Sequence, residues 1–202
     1  MRVKQVLSVP KEINYPESNE DFFNMQVNGF SCALSDGASE SYDSKTWAKL
    51  LCQTFVEFSR KKLIGNFYKY KQTNKLITSA RSKFLESFSQ QSLSWSQQAA
   101  FDRGSFASLV GIIDHGKSVE ILAIGDTIAL WQSTEESINS HFLKNSSEFA
   151  NQPLLISTRK SKLSYEKLNS KDKNFFYSSI ESMYIELAKY IIRDGEGATK
   201  FV

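Results

Sequence analysis

Residues 31 to 51, SCALSDGASESYDSKTWAKLL, change their period part-way along. An apolar run that reads as a strand stops at Asp36-Gly37. From Ser44 onward, Trp47, Leu50, Leu51, Thr54, Phe55 and Phe58 fall on one face of a helix, with Ser44 the expected N-cap. A chain that passes from strand to turn to amphipathic helix in this way must carry both element types in one core. The carboxylate at the mouth of the strand has two readings. Asp-Gly is a common turn dipeptide, and a strand-end carboxylate beside a glycine is also a ligand for a hard cation.

The rest of the chain extends the pattern. VKQVLSV and DFFNMQV are rich in strand formers, and GFSCALS leads into the Asp-Gly turn. Gly65 is expected to end the first helix, and a second stripe follows through Ile77, Ala80, Phe84, Leu85 and Phe88. Strands return at GSFASLVGIID and SVEILAIGDTIALWQ, with HGK between them as a hairpin turn. The order of strands, two long helices and strands predicts an α+β fold, a mixed sheet covered by helices. Residues 133 to 170 are polar and read as loop, apart from the apolar knot QPLLIS. Near the end, Phe176, Ile180, Met183, Leu187 and Ile191 predict a further helix stopped by Gly195.

Composition excludes several classes. A net charge of +3, spread over interleaved acids and bases, gives no nucleic-acid footprint. No apolar run approaches the ~20 residues a bilayer needs, so no membrane partner is expected. Two cysteines, Cys32 and Cys52, make no disulfide framework, and the expectation is a cytoplasmic protein with both as small core residues.

Three acidic elements each sit at a strand end: Glu20-Asp21 in SNEDFF, Asp36-Gly37 in ALSDGAS, and Gly125-Asp126 in AIGDTIALW. Converging strand-end carboxylates suit Mg²⁺ or Mn²⁺, which take carboxylate, carbonyl and water oxygens. Three unrelated turns would produce the same set. His115, in the hairpin turn, reads as structural; His141 is the only other histidine.

In order along the chain, ESNEDFF, SDGASES followed by WAKLL, RGSFASLVGI and LAIGDTIALW resemble the type 2C metal-dependent protein phosphatases, most closely a bacterial branch. FANQPLLIS resembles a later segment of that branch, and the likeness spans about residues 5 to 160. It implies a two-sheet β-sandwich flanked by helices, four layers α-β-β-α, truncated at the C-terminus. It also implies hydrolysis of phosphoserine and phosphothreonine on proteins by a metal-activated water. Asp36 would bridge two Mg²⁺ or Mn²⁺ ions and the Gly37 carbonyl would bind one. Glu20 and Asp21 would bind metal directly or through water, and Asp126 a further ion. Asp36 and Asp21 are thereby the expected catalytic residues. Implied partners are a phosphorylated protein substrate and a cognate serine/threonine kinase.

The sequence departs from this family in two places. Many members place an Arg upstream of the first acidic motif, whereas here Lys11 is the nearest cation and the candidate phosphate ligand. The family also supplies two further Asp ligands after the Gly-Asp strand; this chain has only Asp172 and Asp194 there. LAKYIIRDGEGATKFV resembles a segment of the ornithine acetyltransferases instead, without their cleavage motif; Glu196 matches a position near that family's active site, and Thr199 is not its nucleophile. The expected organisation is a phosphatase-like domain over 1–165 and a helical tail of different resemblance over 166–202. Missing acids would weaken the metal centre and activity, and a truncated sheet would leave an edge open to self-association. The alternatives are an inactive, phosphatase-like regulatory module and, on the tail alone, an acetyltransferase fragment.

Overall fold

A computed structural model describes residues 3, 5–10, 12–26, 31–60, 70–89, 92–115, 118–133, 138–141, 155–159, 175–179 and 183–189. The architecture starts from a hairpin of two short strands, β1 (Asp21–Gln26) and β2 (Ser31–Asp36). They run antiparallel in a register that sets Asp21 opposite Asp36 and Gln26 opposite Ser31. Three helices follow: α1 (Ser44–Arg60), α2 (Tyr70–Phe88) and α3 (Trp95–Arg103). Strands then resume as β3 (Phe106–Ala107), β4 (Leu109–Asp114), β5 (Ser118–Ile124), β6 (Thr127–Ser133), β7 (Ile138–His141), β8 (Ile156–Ser157), β9 (Phe175–Ser179) and β10 (Met183–Lys189).

The strands form a five-stranded sheet of order β1-β2-β4-β5-β9, a three-stranded sheet β10-β6-β7 and the pair β3-β8. The class is α+β, as the sequence predicts, and among the described residues every paired neighbour is antiparallel, where the sequence suggests a mixed sheet. Side-chain alternation explains the layering. Ala33, Leu109, Ile113, Leu122 and Ile124 face α1 and join Trp47, Leu51 and Phe55 in the main core, with α2 stacked behind through Leu76, Ile77, Ala80 and Phe84. Cys32, Val110, Ile112, Val119, Ile121 and Ala123 point the other way and pack with Ala129 of β6. One large sheet is thus covered by helix on one face and by the second sheet on the other. Gly111 lets α1 come close: a Cβ there would lie 2.3 Å from the Phe55 ring.

Several expectations are corrected. Residues 5–9 form no strand, and Val6, Leu7 and Val9 stand 49%, 57% and 59% exposed. Strand formers without an apolar surface to cover do not make a strand. Leu85 is 42% exposed, because it lies about 100° around α2 from the buried Phe84. Helix α3 escaped the apolar pattern since none of its residues is buried; its mark is the capping box of Ser94 and Gln97. The expected loop over 133–170 contains β7 and β8. The predicted terminal helix is replaced by β9 and β10, which pair with β5 and β6. Here long-range pairing of aromatic and β-branched residues overrides a local 3.6-residue period. The tail expected to be helical therefore contributes one strand to the five-stranded sheet and one to the three-stranded sheet. Gly65, Ile180, Ile191 and Gly195 lie outside the described residues.

Candidate active site

The hairpin register determines the site. Residues directly opposed in an antiparallel pair point to the same face with Cβ atoms about 4.5–5.5 Å apart, so Asp21 and Asp36 stand side by side at the end of the β1-β2 ladder. Parity puts them on the face of Phe23, Met25, Cys32 and Leu34, which pack with the inter-sheet cluster. The two carboxylates therefore sit at the rim between the two sheets. Glu20, one residue earlier, is turned toward α1, where its Oε1 accepts a hydrogen bond from the Ser44 hydroxyl at 2.6 Å. Its backbone carbonyl accepts from the Gly37 N–H at 3.3 Å, which ties the two acidic segments together.

Ser44 is not the N-cap that its position suggests. Asp43, at φ 40°, takes that place: its Oδ1 accepts from the Thr46 N–H at 3.3 Å and its carbonyl from the Trp47 N–H at 3.2 Å. Ser44 is buried, and its hydroxyl is directed to Glu20. Gly37 abuts it closely, since a Cβ on Gly37 would fall 2.8 Å from the Ser44 carbonyl carbon and oxygen and 2.9 Å from its Cβ.

Ser108, buried between β3 and β4, joins the other acidic turn. Its N–H donates to the Asp36 carbonyl at 2.9 Å, its hydroxyl oxygen accepts from the Asp36 N–H at 3.3 Å, and its carbonyl accepts from the Ser35 hydroxyl at 2.5 Å. The turn carrying Gly125 and Asp126 presses on the same residue. Gly125 has φ 93°, and a Cβ there would meet Ser108 Cβ at 2.7 Å. One serine thus touches both the Asp36 and the Asp126 turns.

Beside Glu20 and Ser44 opens a cleft of about 360 Å³ lined also by Glu12, Glu17, Asp43 and Lys45. Lys45 Nζ donates to the Glu17 carbonyl at 3.2 Å. Among the described residues no group of three His, Cys, Asp or Glu side chains is arranged to hold a metal ion. Lys11, Asp172, Asp194, Glu196 and Thr199 lie outside the described residues. His115 Nε2 is 3.2 Å from the buried carboxylate of Glu120. Both cysteines are free and buried, and burial pushes the Cys32 thiol up to about 12.

Sequence reasoning missed Ser108 and Asp43, and it gave Ser44 the cap that Asp43 holds. The signal for Asp43 was a polar residue directly before the helix. Nothing in the periodicity marks Ser108, whose role depends on a turn 72 residues away from Asp36 in the hydrogen-bond pattern.

A strand-end acidic pair, the glycine that follows it and a Gly-Asp turn against the same serine thus lie at one end of the large sheet. The sequence profile of the Protein phosphatase 2C family matches residues 12–178, and the chain belongs to that family of protein serine/threonine phosphatases. The match passes the expected domain boundary at 165, and the comparisons give the ornithine acetyltransferase likeness of the tail no support. No curated protein matches the sequence. Among solved structures the fold is similar to a bacterial serine phosphatase variant, at TM-score 0.53 and 16% identity, covering 84% of this chain and 68% of that one. It is also similar to the serine/threonine phosphatase PstP of Mycobacterium tuberculosis, at TM-score 0.57 and 10% identity over 84% of this chain and 71% of that one. A structure of the PstP catalytic domain in complex with two manganese ions matches at TM-score 0.55 and 12% identity, over 85% and 70% of the two chains.

Proposed function

We propose that this chain hydrolyses phosphoserine and phosphothreonine on proteins with the help of divalent cations, Mg²⁺ or Mn²⁺. The observation that carries the reading is the register pairing of Asp21 with Asp36 at the rim between the sheets. The donor set fits a hard cation in kind, being carboxylate and carbonyl oxygen throughout. Asp36, Asp21 and the Gly37 carbonyl would hold the ion. Glu20 would complete its surroundings, and Asp126 would serve a further one. When bound, such an ion supplies Lewis acidity and charge neutralisation toward a phosphoester.

The protein's own residues do the rest of the work. The β1-β2 ladder fixes the backbones of the two aspartates opposite each other. Ser108 pins the Asp36 backbone on both its N–H and its carbonyl. Lys45, at the cleft, would attract the phosphate group as a point charge; Lys11 is the second candidate for that contact.

The donors are few, since among the described residues no three titratable side chains are grouped for a metal. The activity is therefore proposed to be weak and to saturate only at high Mn²⁺. The same shortfall favours the second reading, a phosphatase-like regulatory module without turnover. The four-layer α-β-β-α packing, with an outer helical layer over β10-β6-β7, belongs to this proposal, as do a cognate serine/threonine kinase and self-association through a sheet edge.

Hydrolysis of an aryl phosphate decides between the two readings. Turnover that requires Mn²⁺ or Mg²⁺ and is lost in Asp36→Asn is the expected result. Turnover without metal, or full activity in Asp36→Asn, removes the mechanism; folded protein that binds Mn²⁺ without turnover establishes the regulatory module.

A further inference from the structure

We infer that residues 5–9 act as a strand donor to the outer edge of β1 in a second copy of this chain. The inference deepens the self-association through a sheet edge stated above, by naming the donor and the edge, and it does not depend on a metal. Val6, Leu7 and Val9 are strand-compatible residues, yet the segment forms no strand in its own chain and leaves all three exposed. Burying them against another strand is favourable. The segment already passes close to the start of β1, where Ser8 Oγ accepts from Asn19 Nδ2 at 2.5 Å in an exposed bond.

The acceptor edge follows from the hairpin. The Gly37 N–H donates to the Glu20 carbonyl, which makes Glu20 and Gly37 a hydrogen-bonded pair. Bonded and non-bonded pairs alternate along an antiparallel ladder, so Asp21, Phe23 and Met25 turn their N–H and C=O groups away from β2. Two asparagines agree with that parity. Asn19 Oδ1 accepts from the Asp21 N–H at 2.9 Å, and Asn24 Oδ1 accepts from the Met25 N–H at 3.0 Å. Such side chains yield to an incoming backbone, and Phe23 between them is the anchor. Charge selects the occupant. Residues 1–11 carry Arg2, Lys4 and Lys11 and no acid, whereas residues 17–26 carry Glu17, Glu20 and Asp21 and no cation. With cations on both flanks, the donor brings one to the acidic end of β1 in either strand direction. Every copy carries both donor and edge, so two copies exchange segments about a two-fold axis, each adding a strand to the other's large sheet.

The experiment is light scattering over a concentration series on wild type and on the variant carrying Leu7→Pro and Ser8→Pro, with a synthetic peptide of residues 2–11 as competitor. Adjacent strand residues point their N–H groups to opposite sides, so two consecutive prolines remove a ladder donor in any register. Leu7 is exposed, and the melting temperature of the variant should match wild type. Wild type is expected to approach twice the monomer mass, and the peptide to return it to monomer. The variant should need at least about 10-fold higher concentration to associate, since a hydrogen bond is lost at each of two sites. A constant monomer mass in wild type overturns this inference together with the self-association itself. A dimer that the two prolines leave intact, or that the peptide does not dissociate, overturns the strand donor alone. A monomer in which the amides of residues 5–9 are protected from hydrogen exchange places the segment on its own β1, and overturns the second copy as its partner.

Discussion

Gly111→Ala tests whether the seating of α1 on the large sheet depends on a missing methyl group. The added Cβ would lie 2.3 Å from both Cε2 and Cζ of Phe55 and 2.8 Å from Cδ2. Carbon atoms in good contact are about 3.5–4.0 Å apart, so ring and sheet must separate by more than about 1 Å. Phe55 is fully buried among Trp47, Leu51 and the strands, so the ring cannot swing aside. Overpacking of this kind costs about 1–3 kcal/mol. Loss of glycine freedom in the unfolded chain offsets roughly 0.4–1 kcal/mol of it. The net expectation is a destabilisation of about 1–2 kcal/mol. For a domain of this size that lowers the melting temperature by roughly 2–8 °C. Thermal and urea unfolding of wild type, Gly111→Ala, Phe55→Leu and the double variant measure it. The shorter leucine makes room for the methyl group, so the double variant should be more stable than the sum of the singles by about 0.5–3 kcal/mol. Additivity within about 0.5 kcal/mol, or a Gly111→Ala protein as stable as wild type, refutes the packing argument.

Three further expectations follow from other contacts. Trp47→Phe removes the Nε1 donor that reaches the Ile156 carbonyl at 2.8 Å in a fully buried setting; the stranded carbonyl should cost about 1–3 kcal/mol, seen as a lowered urea midpoint. Burial raises Cys32 to about 12 and, together with the neighbouring Cys32, raises Cys52 as well. Both thiols stay neutral in the fold while the unfolded chain ionises near its usual ~8.5. Stability should therefore fall as pH rises from about 8.5 toward 12, and iodoacetamide at pH 8 should label neither cysteine until denaturant is added. Among the described residues, β1 closes one side of the large sheet. Light scattering over a concentration series should show association through such an edge; a constant monomer mass rules that out.

How much was legible varies with the range of the interaction. The face of α1 carrying Trp47, Leu51 and Phe55 follows from a local period, and so do the alternating strands β2, β4 and β5. The pairing of Asp21 with Asp36 depends on hairpin register, which two motifs in a line of letters do not specify. The likeness to a known family supplied that adjacency where spacing left it open. A serine before an apolar stripe usually caps its helix, which makes Ser44 the expected cap. The preceding Asp43, in a left-handed conformation, claimed the role instead. Phe176, Met183 and Leu187 misled more seriously, for their helical spacing is real. Only the partners 50 or more residues upstream in β5 and β6 decide that β9 and β10 are strands.

The strands β9 and β10 come late in the chain, yet one closes onto β5 and the other onto β6, whereas Asp21 and Asp36 are made near the beginning. On a ribosome adding ~5–20 residues/s, the acidic hairpin emerges on the order of ten seconds before the segments that finish either sheet. For that interval the nascent polypeptide displays open strand borders next to its concentrated negative charge. Chaperone shelter would matter most at that stage of its synthesis.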